Sequence, residues 1–112
     1  MHGTEDPISP HNGRPDGSLL GGTLSGRETI DLWQQRNRCS GTAHTETIDR
    51  LDDDTSVHIS EFTDCAAALT YVLITGHGHD WPRPGNKKTR LQGPASQEVD
   101  ATALAWRFFE DQ

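Results

Sequence analysis

Apolar residues at helical spacing predict two helices, one in the first third of the chain and one at its end. Ser25 and Glu28 form a capping-box pattern ahead of apolar residues at i, i+3 spacing, which predicts a helix over 26–37. Asp100 has the character of an N-cap residue before an amphipathic segment, which predicts a terminal helix over 100–110. Because aromatic side chains at helical spacing are usually buried, we expect the following residues in the core: Trp33, Trp106, Phe108 and Phe109.

A different pattern predicts strands in the middle of the chain. Residues 45–62 alternate between polar and apolar side chains around the acidic triplet 52–54, which favours a β-hairpin with a solvated acidic tip. Residues 69–75 are β-branched, apolar on both faces and followed by a glycine, which is typical of a strand in the middle of a sheet. The segments 1–26 and 76–99 are rich in glycine and proline and are predicted to be loops.

These elements are too few for a complete α/β sheet. A strand that is apolar on both faces requires neighbours at both edges and helices on both faces. Two interpretations remain. Either the hairpin completes a small α+β sheet, or residues 1–112 are the C-terminal part of a larger α/β domain whose first strands lie upstream.

The composition narrows the range of partners. The chain has 112 residues, with 10 basic and 17 acidic side chains and a formal charge of −7, and is long enough for one domain at most. Such a chain has no general electrostatic attraction to nucleic acid or anionic lipid, and its one basic cluster lies in the loop 83–90. No apolar run approaches the length of a membrane-spanning helix, and no signal-peptide pattern is visible. We therefore expect neither nucleic-acid nor membrane partners.

The six histidines raise the question of a metal site. His77, His79 and Asp80 come closest to the H-x-H-x-D-H array of binuclear zinc hydrolases. The spacing fails, because Asp80 directly follows His79. We therefore expect neither a metal ion nor another cofactor.

Asp6 and His79 have the order along the chain that the triad acid and histidine have in α/β-hydrolases. In α/β-hydrolases the triad acid precedes the triad histidine, which lies in the loop after the last strand. His79 follows the predicted strand 69–75 in this way. A serine hydroxyl is a poor nucleophile until an imidazole accepts its proton, and a carboxylate fixes the tautomer of that imidazole. Asp6, which precedes a proline, is also an ordinary turn residue.

Four segments, in chain order, are HGTEDPISPHNG, LWQQRNRC, YVLITGHGHDWP and SQEVDATALAWRFFE. Together they closely resemble the C-terminal portion of the polyhydroxybutyrate depolymerase and feruloyl esterase family of secreted α/β-hydrolases, and the likeness covers nearly the whole chain. The resemblance implies an α/β-hydrolase fold with an acid loop at 2–12 and a histidine loop at 76–83. It also implies that Asp6 is the triad acid and that His79 is the triad base.

The histidine loop departs from the family pattern Gly-Gly-Gly-His-Thr-Trp-Pro-Gly at three positions. His77 replaces a glycine, Asp80 replaces the threonine and Arg83 replaces the last glycine. The side chain of His77 raises the prospect of strain in a turn that favours glycine, and His77 is otherwise expected to be a polar loop residue. Asp80 supplies a second carboxylate, so that either Asp6 or Asp80 is available to orient His79.

The nucleophile of the family is not found in this chain. A Gly-x-Ser-x-Gly elbow is required, and no serine here has glycine at both flanking positions. The chain alone is therefore predicted to be inactive, since it supplies an acid and a base without a nucleophile. Trp81, next to the base, is interpreted either as a packing wedge beneath the loop or as a side chain that stacks on the substrate.

Cys39 and Cys65 are the two cysteines, and their positions allow either one bridge or two free thiols. The resemblance favours the bridge, because family members carry cysteines at these places and are commonly exported. Disulfides persist in oxidising compartments. The resemblance therefore implies that the full-length protein is secreted or periplasmic.

The resemblance finally implies a serine esterase that hydrolyses polyester or hydroxycinnamate esters, of which this chain is the C-terminal part. The alternative is a noncatalytic stand-alone or interaction module derived from the same fold. An in-frame Gly-x-Ser-x-Gly upstream of Met1 would favour the esterase, and a stop codon there would favour the module.

Overall fold

The structure, a computed structural model, describes residues 1–112 and contains four strands and two helices. In chain order they are β1 (His2–Gly3), α1 (Gly26–Arg36), β2 (Ala43–Ile48), β3 (Ser56–Phe62), β4 (Leu69–Thr75) and α2 (Ala101–Glu110). The strands form one mixed sheet in the order β1-β4-β3-β2. Both helices, the hairpin and the central strand that the sequence predicts are therefore present, in a small α/β architecture.

β4 lies inside the sheet because both of its edges are paired. β3 runs antiparallel to it along its whole length, and β1 runs parallel to it with His2 opposite Leu73. β2 adds an antiparallel fourth strand at the far edge. The sheet thus gives the apolar strand β4 the neighbours that its sequence requires.

β1 differs from the expectation that residues 1–26 form only loops. Two residues carry no alternating pattern of their own, and they are a strand only through their pairing with β4. Gly3 permits this approach, because a Cβ at that position would collide with the backbone carbonyl of His77. The glycine therefore brings the start of the chain next to the segment that follows β4.

The hydrophobic core is small and lies mainly on one face of the sheet. Only 14 of the 112 residues are buried, so most of the chain is at least partly exposed to solvent. Val57 and Ile74 are directly paired across β3 and β4, and Val99, just before α2, packs against them. On the opposite face, the hydroxyl of Tyr71 is directed towards Gly26 at the start of α1. The two faces are thus covered by different helical segments.

The aromatic residues of the helices are mostly outside the core, and the expectation that they are buried is wrong. Trp33, Trp106 and Phe109 are 47%, 64% and 69% exposed, and Phe108 is partly buried. Each helix meets the sheet with one side, and no further layer of structure covers the other side. The spacing of apolar residues therefore predicts the helices correctly, but it does not predict whether their aromatic side chains are buried.

Capping side chains define the starts of both helices. The predicted capping box is present, since the Ser25 hydroxyl accepts from the Glu28 N–H at 3.1 Å and the Glu28 carboxylate accepts from the Ser25 N–H at 2.8 Å. Asp100 caps α2 by accepting from the Ala103 N–H at 3.0 Å. These bonds satisfy N–H groups that the first turn of a helix leaves without partners.

A disulfide between Cys39 and Cys65 joins the segment after α1 to the connection between β3 and β4. It confirms the bridge and excludes two free thiols in this structure. The bridge is compatible with an oxidising compartment. None of the helices has both the length and the apolar character needed to cross a membrane.

Candidate active site

The parallel pairing of β1 and β4 determines where the candidate residues lie. Because the two strands run in the same direction, their carboxyl ends lie at the same edge of the sheet. Asp6 follows the end of β1 and His79 follows the end of β4. The loops that carry them are joined by backbone bonds, from the Thr4 N–H to the Ile74 carbonyl at 3.0 Å and from the Glu5 N–H to the His77 carbonyl at 2.9 Å.

His79 and Asp6 form a direct hydrogen bond. The distance between His79 Nδ1 and Asp6 Oδ2 is 2.8 Å. An ionised carboxylate can only accept, so Nδ1 carries the proton and Nε2 of the neutral ring has a free lone pair. The side chain of Asp6 is 7% exposed and that of His79 is 42% exposed. The carboxylate is therefore shielded, while the imidazole remains open to a reacting group.

The second carboxylate oxygen of Asp6 is held by the backbone. Oδ1 accepts from the Ile8 N–H at 2.8 Å and from the Ser9 N–H at 2.7 Å. Burial raises the pKa of Asp6, but the hydrogen bonds from Ser9, His79 and Ile8 outweigh it and hold the pKa below its ordinary value. Asp6 is thus both a turn residue and an ionised partner of His79, so its two interpretations are compatible.

The backbone of His79 and of the residue before it is fixed by a neighbouring segment. The His79 N–H donates to the Gln92 carbonyl at 2.7 Å, and the Gly78 N–H donates to the Pro94 carbonyl at 2.8 Å. Gly78 has to be glycine, since a Cβ there would collide with the Gln92 carbonyl. The predicted loop 76–99 therefore folds back on itself and supports His79.

Asp80 makes no hydrogen bond with the imidazole of His79. Its Oδ1 accepts from the N–H of Trp81 at 2.7 Å, within its own turn. Of the two carboxylates that the sequence makes available, Asp6 is the one bonded to His79.

Trp81 forms one wall of a shallow groove of about 240 Å³ beside the pair, and Asp6, His79 and Pro82 also line it. Its ring is tied to α2 by a hydrogen bond from Nε1 to the Thr102 hydroxyl at 3.0 Å, while the residue stays 54% exposed. A wider depression of about 440 Å³ lies along the loop 12–24 and contains no histidine. The groove at Trp81 is therefore the one of the two that contains the hydrogen-bonded carboxylate and imidazole.

His77 lies in the loop after β4, as expected, but the structure buries it there. The residue is only 2% exposed. Non-glycine residues with positive φ are Arg38, Asp54 and Asp64, so the side chain of His77 causes no left-handed strain. The residue of this turn with a positive φ is Gly76, at 78°, and glycine adopts this conformation without strain.

The candidate site lacks the features of a metal centre. No group of three or more histidine, cysteine, aspartate or glutamate side chains is arranged to hold a metal ion. The Asp6–His79 pair is suited to proton transfer, because a shielded carboxylate orients an accessible imidazole.

Comparisons with protein families, with curated proteins and with solved structures found no significant match to this chain.

Proposed function

We propose that this chain is the acid and base portion of a serine esterase of the polyhydroxybutyrate depolymerase and feruloyl esterase type. The observation that supports it most is the 2.8 Å bond between His79 Nδ1 and Asp6 Oδ2, formed at the carboxyl ends of two parallel strands. Triad acids and bases of α/β-hydrolases occupy loops of this kind. The resemblance of the four segments points to the same two residues.

In the proposed reaction His79 moves one proton in each half of the cycle. A serine hydroxyl attacks the ester carbonyl carbon while Nε2 of His79 accepts the hydroxyl proton, and His79 then gives that proton to the departing alcohol. Water then attacks the acyl carbon of the acyl-enzyme while Nε2 of His79 accepts one of its protons. His79 gives that proton to the departing serine oxygen, and the hydroxyl group left from the water stays on the acid product. Asp6 keeps the proton on Nδ1 and stabilises the imidazolium that forms twice in the cycle.

The nucleophile and the oxyanion hole belong, in this proposal, to a segment that precedes residue 1. The chain itself contains no Gly-x-Ser-x-Gly. β1 is an edge strand that pairs only with β4, so its other edge is open to a further parallel strand. In the proposed complete domain that strand connects the nucleophile half to the Asp6–His79 pair.

A second candidate function is a noncatalytic interaction module. The exposed aromatic residues of α2, Trp106 and Phe109, favour it, because large exposed apolar side chains are common at binding surfaces. The same exposure agrees with an incomplete domain, so the test has to discriminate between the two candidates.

The test begins with the gene region that encodes the residues before Met1. We expect an in-frame Gly-x-Ser-x-Gly there, and we define the joined protein as that upstream segment followed by residues 1–112. The joined protein should hydrolyse p-nitrophenyl esters, and its turnover should disappear when the elbow serine is changed to alanine. An upstream stop codon, or a joined protein that folds without ester hydrolysis, would contradict the proposal and favour the module.

A further inference from the structure

His77 is the only buried histidine of the six, and the proposed reaction assigns it no proton transfer. Its ring spans two backbone groups from different segments. Nδ1 lies 2.8 Å from the Ser96 backbone nitrogen, and Nε2 lies 2.7 Å from the Asp80 carbonyl oxygen. Both nitrogens of this buried ring therefore have hydrogen-bond partners, as buried polar groups in folded proteins usually do.

These two partners determine the protonation of the ring. A backbone N–H can only donate, so Nδ1 of His77 is an unprotonated acceptor. A carbonyl can only accept, so Nε2 carries the proton and donates it to Asp80. His77 is therefore a neutral imidazole with the proton on Nε2, the opposite tautomer to that of His79.

We infer that His77 is a positioning residue for His79, an inference that rests on the proposed role of His79 as the base. The bond from His77 to the Asp80 carbonyl closes a ring around Gly78 and His79. The bond from Ser96 fastens that ring to the segment on which the loop lies. The His77 carbonyl also accepts from the N–H of Glu5, the residue before Asp6. One residue thus ties the backbone of the base to that of the acid.

Ser96, which donates to His77, is itself bonded to the turn that precedes β3. The hydroxyls of Ser96 and Thr55 lie 2.8 Å apart and both residues are buried. The Asp53 carboxylate accepts from the Thr55 hydroxyl at 2.6 Å and from the Gln97 N–H at 2.9 Å. A continuous polar network therefore runs from the acidic turn before β3 to the loop of His79.

A glycine at position 77, as in the family pattern, could not make these contacts. The Ser96 N–H and the Asp80 carbonyl would each lose the partner that the ring supplies. Buried backbone groups without partners are unfavourable, so the segment 92–97 and the turn 77–80 would separate more readily. The two bonds of the His77 ring are thus a feature of this chain that the family pattern does not predict.

Two substitutions separate the two bonds of the ring. In His77→Gln the terminal amide nitrogen can take the position of Nε2 and keep the bond to Asp80. In His77→Asn the amide oxygen can take the position of Nδ1 and keep the bond to Ser96. His44→Gln is the matched control, because His44 is an exposed residue of β2 far along the chain from the loop.

The measurement is NMR on the 112-residue chain, with amide shifts of β3 and β4 as the check of folding. We expect exchange of the His79 Nδ1 proton to be about tenfold faster in His77→Asn, which loses the bond that closes the turn around His79. The acceleration should be smaller in His77→Gln, which loses only the bond to Ser96, and absent in His44→Gln. An unchanged His79 signal in His77→Asn, or a larger acceleration in His77→Gln than in His77→Asn, would overturn the inference.

The wild-type chain gives an independent result if both variants fail to fold. Long-range proton–nitrogen spectra should show His77 neutral with its proton on Nε2, and the Ser96 and His79 backbone amides should exchange through one opening event. A charged His77, a proton on Nδ1, or amides that differ in protection by more than about tenfold would overturn the inference. No ester or nucleophile is needed, so failure here is distinct from failure of the esterase proposal.

Discussion

His79 lies 2.8 Å from Asp6 although 73 residues separate the two in the chain. The separation is closed by the parallel pairing of β1 with β4, which brings the loops after both strands to one edge of the sheet. Neither residue has another hydrogen-bonding side chain as its partner. The contact between Asp6 and His79 therefore follows from the order and direction of the strands in the sheet.

Asp6 and Asp80 should respond differently to the loss of negative charge. In the joined protein Asp6→Asn should lower kcat by about 10⁴-fold, since an asparagine no longer holds the productive tautomer of His79. Asp80→Asn should have a far smaller effect, because Asp80 bonds only to the Trp81 N–H. Steady-state kinetics on a p-nitrophenyl ester measures both. A mild Asp6→Asn together with a severe Asp80→Asn would mean that the acid is in the histidine loop.

Residues 1–112 alone should show no esterase turnover beyond the slow hydrolysis that a free imidazole gives at the same concentration. The chain holds an oriented base but no nucleophile elbow. Initial rates with p-nitrophenyl acetate and p-nitrophenyl butyrate, compared between wild type and His79→Ala, provide the measurement. Turnover far above that of a free imidazole that disappears in His79→Ala would show that a nucleophile within these residues has been overlooked.

The disulfide should contribute substantially to stability. Cys39 and Cys65 are separated by 26 residues, and closing a loop of this size in the unfolded chain corresponds to about 3–4 kcal/mol. Urea unfolding of a Cys39→Ser, Cys65→Ser double variant should show a loss of this order. Ser40→Ala, next to the bridge, is the control. Two thiols titrated in the unfolded, unreduced wild type would contradict the bridge.

Acid should destabilise the chain through Asp53 and Asp6. Burial raises the pKa of Asp53, but hydrogen bonds from Thr55 and Gln97 outweigh it and hold the pKa below its ordinary value. A carboxylate with a lowered pKa in the folded state stabilises fully above its unfolded pKa of about 3.9, and that contribution is lost as the pH falls through the folded value.

Asp53→Asn should therefore flatten the loss of stability on acidification. The exposed neighbour Asp52 makes no side-chain hydrogen bond, so Asp52→Asn should leave the pH dependence as in wild type. Thermal unfolding across the acidic range gives the comparison. A variant at Asp53 that loses stability as steeply as wild type would show that the network from the acidic turn contributes little.

Elements defined by residues close together in the chain could be predicted from the sequence. Elements that depend on contacts with distant residues could not. The capping box of α1 and the apolar run of β4 are carried by neighbouring residues. β1 is two residues long and exists only through β4. His77 has the sequence environment of a polar loop, and its burial depends on Ser96, 19 residues further along the chain. Trp106 follows helical spacing, yet nothing in the fold covers it.

The order of Asp6 and His79 was enough to predict the acid–base pair as a hypothesis, since chain order and strand position are both visible in the sequence. Which carboxylate contacts the base was not visible. Asp80 is adjacent to His79, but its carboxylate turns back to the next backbone N–H. Such a local turn competes with the imidazole, and only the three-dimensional arrangement decides between them.

The most direct measurement of the central claim is the turnover of the joined protein when each of two histidines is removed. His79→Ala should lower kcat by at least about 10⁴-fold, because no other group can accept the serine proton at that position. His44→Ala, at an exposed site on β2, should leave kcat within about twofold of wild type. Full turnover in a folded His79→Ala variant would contradict the assignment of His79 as the base of a serine esterase.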